Sequence, residues 1–155
     1  MSVFNLKDTD FITSNNFARK SNIVFSEIIS NDEFDIIKSK SYKVLHQSAS
    51  ETNFINTEFV INENDIIFCN TDFVKDLFNV LKKIKNLKNI KLITHWSDTP
   101  ITKELFSKKP NCISKWYSPH IDFDHNDLIS IPLGLSGKYS PKNLLSDNFL
   151  KFYSN

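Results

Sequence analysis

From Asn22 onward the apolar residues come in short unbroken runs: Ile23–Phe25, Tyr42–Leu45, Asp65–Cys69, Ile90–Thr94, Ile113–Tyr117 and Leu128–Leu133. Continuous runs rich in Ile, Val and Phe are what a strand needs when both faces of its sheet are covered, and such sheets are typically parallel. The pattern between the third and fourth runs is different. Polar Asn70, Thr71 and Asp72 can cap a helix, and Phe73, Leu77, Val80, Leu81, Ile84 and Leu87 follow at helical spacing until Asn86 to Asn89 closes it. Strand, helix and strand within this stretch predict a βαβ crossover with parallel strands.

A shorter unit follows, in which Pro100 and Thr102 start a helix over Lys103–Ser107 before the run CISKWY. The segment PHIDFDHND then leads into LISIPLGL. Three strand ends result: His95–Asp98, Tyr117–His120 and Leu133–Gly137. Ligands of open α/β sheets bind outside the carboxyl ends of the strands, so these segments are expected to converge on a site. The pattern as a whole predicts an α/β fold, a single three-layer Rossmann-like domain over residues 1–155 with a mainly parallel central sheet. Residues 1–20 are polar and read as a loose arm or a short helix. Residues 143–155 read as a terminal helix, because Leu144, Leu145, Phe149, Leu150, Phe152 and Tyr153 suit helical spacing. That apolar end either folds back on the sheet or stays available, so self-association or a protein partner is expected.

Composition narrows the function classes. The formal charge is +1, which does not suggest a polyanion or a membrane surface as partner. Lys82, Lys83, Lys85, Lys88 and Lys91 interleave with apolar positions and read as a solvated helix face rather than a nucleic-acid patch. Cys69 and Cys112 fall in apolar runs and read as buried free thiols. No stretch approaches the ~18 apolar residues a membrane span needs, and the N-terminus lacks a basic start followed by an apolar run. The expected location is cytoplasmic.

The chemistry is sparse. The only two glycines, Gly134 and Gly137, share one turn, so a dinucleotide fingerprint is absent and GLSGK has the wrong spacing for a phosphate loop. His120, Asp122, Asp124 and His125 form a dense cluster, with His95 and Asp98 on a neighbouring strand end. Two imidazoles and a carboxylate could serve a metal, yet no HExxH or HxH spacing occurs, and neither a metal nor a cofactor is expected. The strongest local signal is Thr94-His95-Trp96-Ser97-Asp98, an apolar strand breaking into an imidazole, a hydroxyl and a carboxylate above the sheet. Asp98 could equally cap the following helix, and Trp96 and Trp116 could stack on a sugar or fill the core.

Taken together, LITHWSD (Leu92–Asp98), KWYSPH (Lys115–His120) and ISIPLGL (Ile129–Leu135) resemble the N-terminal half of exostosin-like glycosyltransferases of bacteria and large viruses. The resemblance covers about residues 64–142; where that pattern carries Asn, this chain has Trp96 and His120. It implies the acceptor-binding half of a GT-B enzyme, with the sugar nucleotide held mainly by a second domain. His95 and Asp98 would then be catalytic, either one taking a proton from an acceptor hydroxyl. Thr94, Ser97, Trp116, His120 and Gly134 would line the cleft for a sugar or glycan acceptor. Two other readings use the same residues. One is a noncatalytic binding or assembly module, and the other a metal-dependent hydrolase built on His95, Asp98, His120 and His125.

Overall fold

A computed structural model describes residues 12–26, 41–43 and 60–134. Six strands form one sheet: β1 (Ile23–Phe25), β2 (Ser41–Lys43), β3 (Ile66–Asn70), β4 (Ile90–His95), β5 (Ile113–Ser118) and β6 (Leu128–Ser130). All five pairings are parallel. Each of the six apolar runs became a strand. The predicted crossover is present, with β3 and β4 in register from Ile66↔Lys91 to Asn70↔His95. The helices are α1 (Ser14–Lys20), α2 (Val74–Leu81) and α3 (Lys103–Ser107).

Side-chain alternation along the strands separates two faces. Trp116 and Thr94 point to one of them, where Phe78 of α2 meets the Trp116 ring edge-on at 5.4 Å and Phe106 of α3 stacks on it at 5.9 Å. His95, offset by one residue from Thr94, points to the other, where Phe17 of α1 lies 6.1 Å away. Helices therefore cover both faces, and the domain is a three-layer α/β sandwich of Rossmann-like type. Ile23, Phe25, Ile67, Leu77, Leu81, Leu92, Ile113 and Trp116 make up most of the α2 and α3 side of the core. Fully burying a side chain of this kind contributes roughly 1.5–3 kcal/mol.

The strand order is β2-β1-β3-β4-β5-β6. From β1 the chain steps one way to β2, and from β3 it steps the other way through β6, so the order reverses between β1 and β3. Sequence periodicity did not reveal this reversal. It means that β4, β5 and β6 are consecutive neighbours on one side of the switch point, with their carboxyl ends adjacent.

Local structure departs from expectation in two places. Helix α2 stops at Leu81, sooner than the apolar stripe suggested, and Lys83 and Ile84 bond back only three residues. Asn86 (φ 63) and Asn89 (φ 58) then turn the chain through the left-handed region, which asparagine tolerates better than most residues. Ile84 is left outside the helix and partly exposed. The polar cluster Thr13 to Asn16 proves to be a helix start, because the Thr13 hydroxyl accepts the Asn16 N–H and caps α1. Of the two readings of residues 1–20, the described part is therefore a helix. Residues 1–11 and the terminal helix expected over 143–155 lie outside the described residues, as does the interaction surface expected there. Among the described residues no helix is long and apolar enough to cross a membrane.

Candidate functional site at the carboxyl edge of the sheet

Strand β4 ends at His95, and the next residue has a backbone that is rare for a bulky side chain. Trp96 has φ 64, in the left-handed region where a bulky side chain is crowded against the backbone. Its N–H donates to Nδ1 of His95 at 2.8 Å, and its ring packs edge-on against Phe68 at 4.7 Å. The turn is tied to neighbouring loops as well. Hydroxyls of Ser97 and Thr99 lie 2.7 and 3.0 Å from Oδ1 of Asp72, and the Thr71 hydroxyl donates to the His95 carbonyl at 3.3 Å. The β3 and β4 ends are thus bound together by a polar network that holds residues 96–99 in place.

His95 is itself fully engaged. Because Nδ1 accepts the Trp96 N–H, the ring proton sits on Nε2, which lies 3.1 Å from the Leu133 carbonyl and donates to it. Burial lowers the His95 pKa from its ordinary value; the Leu133 bond opposes the shift and the nearby His120 adds to it. The ring is therefore neutral near pH 7, with both nitrogens occupied. The proton-accepting role that sequence suggested for His95 finds no free lone pair in this arrangement. What the ring does instead is bridge the β4 turn to the segment after β6.

His120 is positioned by backbone pairing. The Ile101 N–H donates to the His120 carbonyl at 2.9 Å, and Ile101 and Ile121 form a short parallel bridge that stitches the loop after β4 to the loop after β5. Nε2 of His120 stands 3.8 Å from Oδ1 of Asp98, whose side chain is fully exposed. That Nε2 is enclosed yet makes no hydrogen bond, an uncommon condition for a buried polar atom. His95, Asp98, His120 and the Leu133–Gly134 turn thus come from three strand ends and meet at one edge.

Gly134 is required by its surroundings. It has φ 76, and a Cβ there would come within 2.4 Å of the Ile12 carbonyl oxygen. The start of the described chain therefore lies against the turn after β6, with Phe17 close to His95. Thr94 and Trp116, expected to line the cleft, are placed otherwise. Both are completely buried, and the indole N–H donates to the Thr94 hydroxyl at 2.9 Å. They are a satisfied polar pair inside the core, and neither reaches a ligand from there. Ser97 remains at the surface. Asp72 and Thr99 were missed by sequence reasoning; that Asp72 follows the carboxyl end of the adjacent parallel strand was the available signal.

The remaining members of the acidic and histidine-rich loop diverge from this edge. His125 packs on Phe106 at 4.6 Å and accepts the Asp127 N–H, while Asp127 pairs with Lys115 at 2.8 Å. Asp122 and Asp124 are exposed, and Phe123 is an apolar anchor on the core. Among the described residues no group of three His, Cys, Asp or Glu side chains could hold a metal ion. Cys69 is buried and Cys112 half-buried, both free thiols whose pKa is raised chiefly by burial. The lysines from Lys82 to Lys91 are exposed. Searches of protein families, of curated proteins and of solved structures return no match to this chain.

Proposed function

We propose that this chain is the acceptor-binding domain of a glycosyltransferase built on the GT-B plan, with the Asp98–His120 pair receiving the acceptor hydroxyl. One observation carries the reading. The three motif segments that resemble exostosin-like enzymes belong to β4, β5 and β6, adjacent parallel strands whose carboxyl ends set His120 Nε2 3.8 Å from Asp98. A hydroxyl entering beside the orphaned nitrogen would satisfy it. As the acceptor oxygen attacks the anomeric carbon of the donor sugar, the sugar–phosphate bond breaks and the nucleotide leaves with its electron pair, while the acceptor proton passes to His120, whose imidazolium is stabilised by the Asp98 carboxylate. The sugar nucleotide is held by another domain, since among the described residues neither a Gly-rich turn nor a basic cluster stands at this edge.

Titration of the purified chain with mono- and oligosaccharides, followed by tryptophan fluorescence, tests the reading. Saturable binding that weakens about tenfold in Asp98→Asn and in His120→Ala is expected, corresponding to loss of one charge-assisted contact. No saccharide binding, or robust turnover of a sugar nucleotide by the isolated chain, refutes it. A noncatalytic binding module on the same scaffold is favoured by one feature: Ile12 and Leu133 are more than half exposed and flank the Ile12–Gly134 contact. Under that reading the chain self-associates in sedimentation, and Leu133→Asp abolishes the association.

A further inference from the structure

We propose that Trp96 is the stacking wall of this site, taking the apolar face of a sugar ring, and that His95 is the positioning residue that holds it there. The inference rests on the saccharide reading above and adds the residue that selects the ligand class.

Trp96 is held in a strained backbone conformation. A left-handed backbone at a non-glycine residue costs about 1–2 kcal/mol, and a bulky side chain is a poor choice for it when Gly or Asn would adopt the turn freely. Such strain persists where the surroundings over-determine it, and it concentrates at sites that bind or react. Here the surroundings are specific. The His95 ring accepts the Trp96 N–H on one nitrogen and is anchored to the Leu133 carbonyl through the other, while Asp72 holds the hydroxyls one and three residues further on. The turn is therefore fixed from both ends. Its effect is to keep the indole at the carboxyl edge, touching Phe68 but only half buried, two residues from Asp98.

The chemistry of the wall follows from its neighbours. An indole face attracts the C–H groups on one side of a pyranose, and its edge leaves the ring hydroxyls free for polar partners. Those partners are present, namely the exposed Asp98 carboxylate and the enclosed, unbonded His120 Nε2. An apolar wall beside a carboxylate and an imidazole matches a neutral carbohydrate. It is a poor match to a phosphorylated one, since the exposed carboxylates of Asp72 and Asp98 would repel the phosphate.

Saccharide titration of variants tests both halves. Trp96→Gly retains the left-handed turn without the ring, and is expected to weaken binding at least about tenfold, the scale of one lost aromatic stack. His95→Asn keeps an acceptor near the Nδ1 position and is expected to preserve most binding. His95→Gln can reach toward Leu133 but not the Trp96 N–H, and is expected to lose it. Nitrogen-15 NMR of the unaltered chain should show His95 as the neutral tautomer protonated on Nε2. Undiminished affinity in Trp96→Gly, alongside loss in Asp98→Asn, overturns the wall while leaving the acceptor site standing. Equal affinity of the two His95 variants, or a tautomer protonated on Nδ1, overturns the positioning role. Absence of any saccharide binding by the unaltered chain removes this proposal together with its parent.

Discussion

The two tryptophans occupy regions that differ in almost every physical respect. Around Trp116 the backbone is ordinary strand, the ring is enclosed by Phe78 and Phe106, and its one polar atom is bonded to Thr94. Around Trp96 the backbone is left-handed, the ring packs on Phe68, and fixation comes from hydrogen bonds contributed by three separate segments. The first region is held by packing, which tolerates no missing volume. The second is held by polar geometry, which can impose an unfavourable conformation because the surrounding sheet is stable enough to support it. Close packing and polar fixation are thereby assigned to different parts of one small domain.

The contrast is sharpest in truncation. Trp116→Ala should destabilise the domain by about 3–5 kcal/mol, measured by urea denaturation, because it opens a cavity between the sheet and two helices. Trp96→Gly should change stability by less than about 1.5 kcal/mol, since relief of strain offsets the lost Phe68 contact. Similar losses at both positions would break the distinction. An effect between these two is expected from Gly134→Ala, at about 2 kcal/mol, where the new methyl group meets the Ile12 backbone and the positive φ is disfavoured. A neutral outcome would mean that the N-terminal segment does not rest on that turn.

The finest test is pH. The folded-state pKa of His95 lies below its unfolded value of about 6.5, so the unfolded chain takes up the proton first as the medium is acidified. The stabilising contribution of the neutral ring is complete above that value and is lost as pH falls through the folded pKa. His120 is the titratable neighbour that deepens the shift. Denaturation midpoints at pH 7.5 and 5.5 should therefore fall less in His95→Asn than in the unaltered chain. An identical fall in both would show that His95 does not titrate against the fold.

Much of the architecture could be read from the chain because unbroken apolar runs and the stripe ahead of Leu81 leave few alternatives to a parallel sheet with a crossover helix. The strand order could not, since periodicity does not report on which side of β1 the next strand is added. The same limit applies at the site. His95, Asp98 and His120 were legible as polar residues at strand ends. That His95 is saturated was hidden, because its second partner is a backbone carbonyl 38 residues away. Trp96 and Trp116 read alike, each able to stack on a sugar or fill the core; φ and packing separate them. The Asp72 clamp escaped notice for a related reason, being 25 residues distant from Ser97 and plausible as a helix cap.

The reversal of strand order also bears on biosynthesis. Strands β4 to β6 each dock on the strand made just before, whereas the β1 edge that β2 leaves open must await β3, 44 residues later by the Asn22–Ile66 contact. At a ribosomal rate of about 5–20 residues per second that interval is roughly 2–9 s, far longer than local chain motions need. During it the wholly apolar Ile23–Val24–Phe25 segment has no β3 to pair with. The stretch of nascent chain most exposed to premature association is therefore one that later lies inside the sheet, between β2 and β3, and ribosome-associated chaperones would be expected to engage it before Ile66 emerges.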